Sequence, residues 1–137
     1  KLFPANSVMM TSRATIGVVS INSLEACTNQ GVITCIPNQK LPTEYIFYWL
    51  RSNVRLFIQQ ASGTTFLEIN RSTFKRINLI LPHAGILESF TQAVGAVMLE
   101  VHALSQKNQN LRKTRDLLLP RLISGRLDVE ELEIKGI

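Results

Sequence analysis

The sequence holds 137 residues, with 15 Lys and Arg against 10 Asp and Glu and a formal net charge of +5. Its 45% hydrophobic and 18% charged content excludes a disordered tail, and seven Gly with five Pro exclude collagen-like and low-complexity chains. The length suits one domain, or one small domain with an appended element.

The chain opens on Lys1-Leu2-Phe3-Pro4, without a Met or a secretory pattern, and reads as a fragment cut from a longer protein. No membrane span is expected, because the apolar stretch Ser89 to Leu99 is short and lies between Glu88 and Glu100. Ala14 to Ile21 lacks charge and is rich in β-branched residues, as a buried strand should be. Cys27 and Cys35 have neither disulfide-framework nor zinc spacing, and His83 and His102 are isolated. Both thiols are expected to be buried in a cytosolic protein. Gly31 to Ile36 is a second strand, stopped by Pro37.

Pro42-Thr43 opens a helix with Thr43 as the expected N-cap, and Tyr45 to Leu50 (YIFYWL) gives it a dense apolar surface. These aromatics are read mostly as core rather than as platforms for bases. A further turn or two around Val54 to Ile58 lies close to Arg51 and Arg55. Gln59 to Thr65 is a polar loop, and Asn70 to Ile77 reads as a short, capped basic helix. Its N-terminal N–H groups and its Arg and Lys side chains suit phosphate contacts. Asn78 to Leu81 is expected to return as a strand that Pro82 ends.

Charge divides the chain. Residues 1–80 hold eight basic and three acidic residues, whereas residues 81–137 hold seven of each. Arg51, Arg55, Arg71, Lys75 and Arg76 are opposed only by Glu68 within their segment. A local excess of this kind attracts polyanions and releases their counterions. Nucleic acid and an ordinary solvated surface both remain open on charge alone.

The second half follows a different period. Leu87, Phe90, Val94, Val97, Val101, Leu104, Asn108, Leu111, Arg115, Leu118 and Leu122 alternate spacings of three and four, a heptad seam apolar at nine of eleven positions. A helix from about Ile86 to Ile123 would be roughly 55 Å long. A globule of about 80 residues cannot cover it alone, so the seam predicts a partner helix, in the same longer protein or in a second copy. Asn108 and Arg115 interrupt the seam, either setting register or marking where it opens to solvent. Pro120 should kink or end the helix, and Gly125 is the expected stop. Asp128, Glu130, Glu131 and Glu133 follow as an acidic tail. No Gly-rich phosphate loop, nucleophile elbow or His-Glu metal motif is present, so binding is better supported than catalysis and no cofactor is expected.

Taken in order, several segments resemble one family. They are Arg13 to Gly17 (RATIG), Ala26 to Gly31 (ACTNQG), Tyr45 to Leu50 and Ser62 to Thr65 (SGTT). Phe74 to Pro82 and the closing run Leu111 to Gly125 (LRKTRDLLLPRLISG) complete the set. Together they are similar to the DNA specificity subunit of type I restriction-modification enzymes. The resemblance implies two target-recognition domains, each reading one half of a split DNA site, separated by two long helices in an antiparallel coiled coil. It further implies modification subunits that methylate adenine using S-adenosylmethionine and restriction subunits that cleave DNA with ATP. The specificity subunit itself would perform no chemistry. The setting implied is the cytoplasm of a bacterium or archaeon, at the nucleoid.

The expected fold class is therefore α+β: residues 1–82 as the C-terminal portion of a target-recognition domain, 83–125 as the spacer helix, and 126–137 as the acidic tail. Arg13, Arg51, Arg55, Arg71, Lys75 and Arg76 are expected to hold DNA, mainly at phosphates. Gln59, Gln60, Thr64 and Thr65 are better suited to base edges. Gly17 and the amides of Asn29 and Gln30 are expected to be structural. Two other readings stay open: a coiled-coil adaptor with a basic globular head, and the recognition end of a single-chain restriction-methyltransferase.

Overall fold

A computed structural model describes residues 2–127. The acidic tail expected after Gly125 therefore lies almost wholly outside the described residues. The chain divides into two units, residues 1–95 and 96–137.

The first unit is built on a three-stranded antiparallel sheet ordered β2-β1-β3, with β1 Val8–Thr11, β2 Val19–Ile21 and β3 Val32–Cys35. The central strand was not foreseen from sequence. It is only four residues long, and its two methionines carry no β preference. Its alternation is nevertheless clear in the fold: Val8 and Met10 are fully buried, and Met9 and Thr11 are half-buried. Met10 sits opposite Val19 on one side and Ile33 on the other, which places three apolar side chains in one cross-strand row.

The strand expected over Ala14 to Ile21 is shortened to Val19–Ile21. Ala14 (φ 60°) and Gly17 (φ 98°) turn the chain instead. The side chain of Thr11 holds this turn by donating to the Thr15 carbonyl and accepting from the Val18 N–H at 3.0 Å. The β3 expectation agrees with the structure to within a residue at each end.

Helix α1 (Thr43–Ser52) buries Ile46 and Leu50 against the sheet. Thr43 is not its N-cap. Pro42 takes that position, and the Thr43 hydroxyl donates to the Asn6 carbonyl at 2.9 Å, tying the helix start to the chain before β1. Asn53 separates α1 from α2 (Val54–Gln59), its side-chain amide donating to the Trp49 carbonyl at 2.8 Å. Helix α3 (Arg71–Lys75) is capped by Asn70, whose side chain accepts from the Thr73 N–H. The rings of Trp49, Phe57 and Phe74 lie 5.5–6.3 Å apart and join α1, α2 and α3. Phe57 is fully buried there, worth about 1.5–3 kcal/mol of transfer free energy.

Asn78 to Leu81 forms no strand. Ile80 is 82% exposed, and the Tyr45 hydroxyl donates to its carbonyl, so the segment is held by a side chain rather than by a ladder.

Helix α4 spans Ala84–Ile123, 40 residues or about 60 Å. Its first seam residues pack within the first unit: Leu87 is buried, and the Phe90 ring meets Tyr45 and Tyr48 edge-on at 6.2 and 6.0 Å. From Val97 onward the apolar seam residues are exposed, by 39–59%. Pro120 does not end the helix, which runs on to Ile123. The stop follows at Gly125 (φ 67°) through a Schellman pair, Arg126 N–H to Arg121 carbonyl at 2.9 Å and Gly125 N–H to Leu122 carbonyl at 3.1 Å. By length and composition alone α4 could cross a membrane, its most apolar 18 residues having a mean hydropathy of 1.2, contrary to the sequence expectation. The burial of Leu87 and the packing of Phe90 instead commit its first turns to protein contacts.

The thiols also differ from expectation. Cys27 is exposed rather than buried, whereas Cys35 is partly buried on β3 and burial pushes its pKa up from 9.0 to about 11.

Candidate nucleic-acid interface

All ten residues expected to meet DNA are exposed. They fall into local groups. Arg13 leaves the end of β1 beside the loop that follows α2, with its Nε 3.8 Å from a carboxylate oxygen of Glu68. Both side chains remain more than one-third exposed, so the pair is weak and Arg13 keeps most of its charge available to solvent. Among the described residues, Arg13 is the one candidate cation with an ion-pair partner.

The loop carrying Thr64 and Thr65 is closed at its base by two main-chain bonds. Ser62 N–H donates to the Glu68 carbonyl at 3.0 Å, and Glu68 N–H donates to the Ser62 carbonyl at 2.9 Å. Two further main-chain bonds fix it to the chain after β1, from Ala14 N–H to Leu67 carbonyl at 3.0 Å and from Ile69 N–H to Ser12 carbonyl at 2.9 Å. Ile69 is buried in the core directly behind it. Gly63 (φ 142°) makes the loop possible, since a Cβ there would lie 2.1 Å from the Phe66 carbonyl oxygen.

Gln60 and Arg76 line one cleft of about 440 Å³ with Leu56, Thr73, Ile77 and Asn78. The Arg76 guanidinium is 3.5 Å from the Thr73 hydroxyl, which steers it across this cleft. Arg71 and Lys75 are four residues apart on α3 and therefore share a face. The Asn70 cap occupies the Thr73 N–H at the start of α3. Arg51 lies over the Phe47 ring, its guanidinium carbon 5.6 Å from the centroid, and Arg55 and Gln59 are exposed on α2. Another groove, of about 840 Å³, lies between Gln39–Pro42 and the first turns of α4 and holds none of the ten.

One exposed residue beside these groups escaped the sequence reading. Phe66 is 57% exposed within the closed loop, next to Thr64 and Thr65. The available signal was an aromatic residue inside a Gly- and Thr-rich turn, where no core position is expected. The roles assigned to Gly17 and Asn29 do match their surroundings. A Cβ at Gly17 would lie 2.3 Å from Val54 Cγ1, and the Asn29 side chain accepts from the Gly31 N–H at 3.0 Å.

A small α+β unit with exposed cations and amides, continuing into a helix with an uncovered apolar seam, has the make-up of a binding and assembly module. Residues 1–101 match the model of the type I restriction modification DNA specificity domain. The chain belongs to that family. It is 35% identical over 130 residues to the Type I restriction enzyme HindI specificity subunit of Haemophilus influenzae, covering 93% of this chain and 28% of the relative. It is 33% identical over 84 residues to the Type I restriction enzyme MjaIX specificity subunit of Methanocaldococcus jannaschii, covering 60% of this chain and 19% of that protein. The chain thus spans less than a third of the length of either relative. A solved chain, from work on complex assembly and conformational transition of the type I R-M system, shares the fold. Its TM-score is 0.53 at 20% identity, over 88% of this chain and 31% of that one.

Proposed function

We propose that this chain is the second part of a target-recognition domain, with its spacer helix, from a type I DNA specificity subunit. It reads one half of a bipartite site in double-stranded DNA. The observation that carries the reading is the family match over residues 1–101, which includes every one of the ten exposed candidates. Arg51, Arg55, Arg71, Lys75 and Arg76 hold phosphates, with Arg13 at the side. Gln59, Gln60, Thr64 and Thr65 present short donors and acceptors to base edges in the major groove.

The chain supplies recognition and no bond-making step. Modification subunits would methylate adenine at the site it marks, and restriction subunits would join them in the cytoplasm. The seam residues Val97, Val101, Leu104, Asn108, Leu111, Leu118 and Leu122 lie against a second spacer helix, from the same longer subunit or from a second copy. The exposure of the apolar side chains among them supports that pairing.

The test is a titration against duplex DNA at two salt concentrations. Replacing Arg71 and Lys75 by Ala should weaken binding and reduce the slope of log K against log salt by about 1.8, the value for two lost phosphate contacts. Unchanged affinity with an unchanged slope would overturn this face. The exposed seam alone favours a coiled-coil adaptor with a basic head, and an absence of DNA binding at both salt concentrations would support that reading instead.

A further inference from the structure

Phe66 is an exposed aromatic residue that lies outside the buried core and the side chains packed on it. It is 57% exposed, while the loop that presents it is closed and anchored by main-chain bonds at Ser62, Glu68, Leu67 and Ile69. Ile69 and Phe57 belong to the buried core, and Phe66 does not. Leu67 beside it is 45% exposed, so two neighbouring apolar side chains face water in an otherwise polar loop. An exposed aromatic ring loses apolar hydration only when a partner covers it.

The surroundings indicate which partner. Thr64 and Thr65 precede the ring, and Arg13 pairs with Glu68 at the loop base. An exposed ring in a loop that also carries two hydroxyls, with a cation at its base, suits a DNA groove, where the thymine 5-methyl is the apolar feature displayed among polar base edges. The four main-chain bonds also restrict the loop before binding, so less ordering entropy is lost on contact.

We infer that Phe66 is a specificity-determining residue that packs against a thymine methyl group in the major groove of the target half-site. This rests on the DNA reading above and adds a contact of a different chemistry to it.

The experiment uses the full specificity subunit assembled with its modification subunits. Its target is read from the sequence context of methylated adenines in DNA from cells carrying the system. Duplexes carrying deoxyuridine in place of thymine, one position at a time, then remove single methyl groups. The wild-type complex should lose about tenfold in affinity at one thymine of the half-site, the low end of what one missing methyl group costs an apolar contact. Phe66→Ala should bind both duplexes alike at that position, with an unchanged salt slope. Phe66→Leu, which keeps apolar bulk, should retain part of the preference. The inference is overturned if no single substitution weakens wild-type binding, or if F66A keeps the full difference. It is likewise overturned if F66A impairs subunit assembly while leaving the thymine preference intact, which would make the ring a protein contact. A complex that prefers no target over random duplex would overturn the DNA reading itself, a result separable from all of these.

Discussion

Gly17 shows how one residue can couple two elements. Its positive φ of 98° turns the chain between β1 and β2, and its missing side chain leaves room for Val54 at the start of α2. A Cβ would meet Val54 Cγ1 at 2.3 Å, and the stiff β-branched valine cannot swing far aside. Gly17→Ala should therefore destabilise the chain by about 2–4 kcal/mol, combining backbone strain with overpacking. Urea unfolding would measure this, and a loss below about 0.5 kcal/mol would contradict the close approach.

The two cysteines separate by environment. Cys27 should react promptly with a thiol reagent at pH 8, while Cys35 should react slowly because it is partly buried and protonated. Since the Cys35 pKa is raised from 9.0 to about 11, the folded state retains a proton that the unfolded state has lost. Its contribution to stability is present below pH 9 and is lost as pH rises toward 11. A Cys35→Ala variant should show a shallower decline in stability across that window.

At the level of elements, α3 is too short to persist by propensity alone. It depends on its Asn70 cap and on Phe74, which packs with Trp49 and Phe57. Asn70→Ala should cost about 1 kcal/mol by thermal or chemical denaturation, and an unchanged midpoint would show that the cap does not hold the helix. The elements legible in the sequence were those with strong local chemistry. These were the β-branched run of β3, the aromatic face of α1, the Asn-capped α3 and the heptad of α4.

The failures have physical causes. β1 is specified by its two neighbours more than by its own residues, a long-range effect that no window over Val8–Thr11 can register. Ala14 to Ile21 has strand-like composition, but Thr11 and Gly17 bend it into a turn. Asn78 to Leu81 looks like a strand and has no ladder partner. The candidate site was legible as a set of residue types, because charge and amides are visible locally. Its grouping was not, since the proximity of Arg13 to the loop after α2 depends on pairings across some 55 residues. Phe66 had only a weak local signal, its place in a Gly- and Thr-rich turn, and the fold adds that it lies outside the buried core.

For the molecule as a whole, the excess positive charge belongs to the first 80 residues, and a row of uncovered apolar side chains runs along α4 from Val97 onward. Val101, Leu104 and Leu111 are 57%, 50% and 58% exposed, a row of one type that water alone covers poorly. The chain on its own should therefore associate with increasing concentration in sedimentation velocity. Replacing Leu104 and Leu111 together by Asp should shift it toward monomer while near-ultraviolet dichroism from the aromatic cluster stays unchanged. A wild-type chain that remains monomeric at all concentrations would remove the seam as a pairing surface.

The closure of the Ser62–Glu68 loop has one more consequence. Hydrogen bonds made by the main chain are indifferent to which side chains hang between them. With Gly63 retained for its turn, positions 64 to 66 form a cassette whose contents can be exchanged without disturbing the scaffold beneath. If these positions read bases as proposed, exchanging them together with Gln59 and Gln60 would alter the DNA preference while leaving the fold beneath untouched.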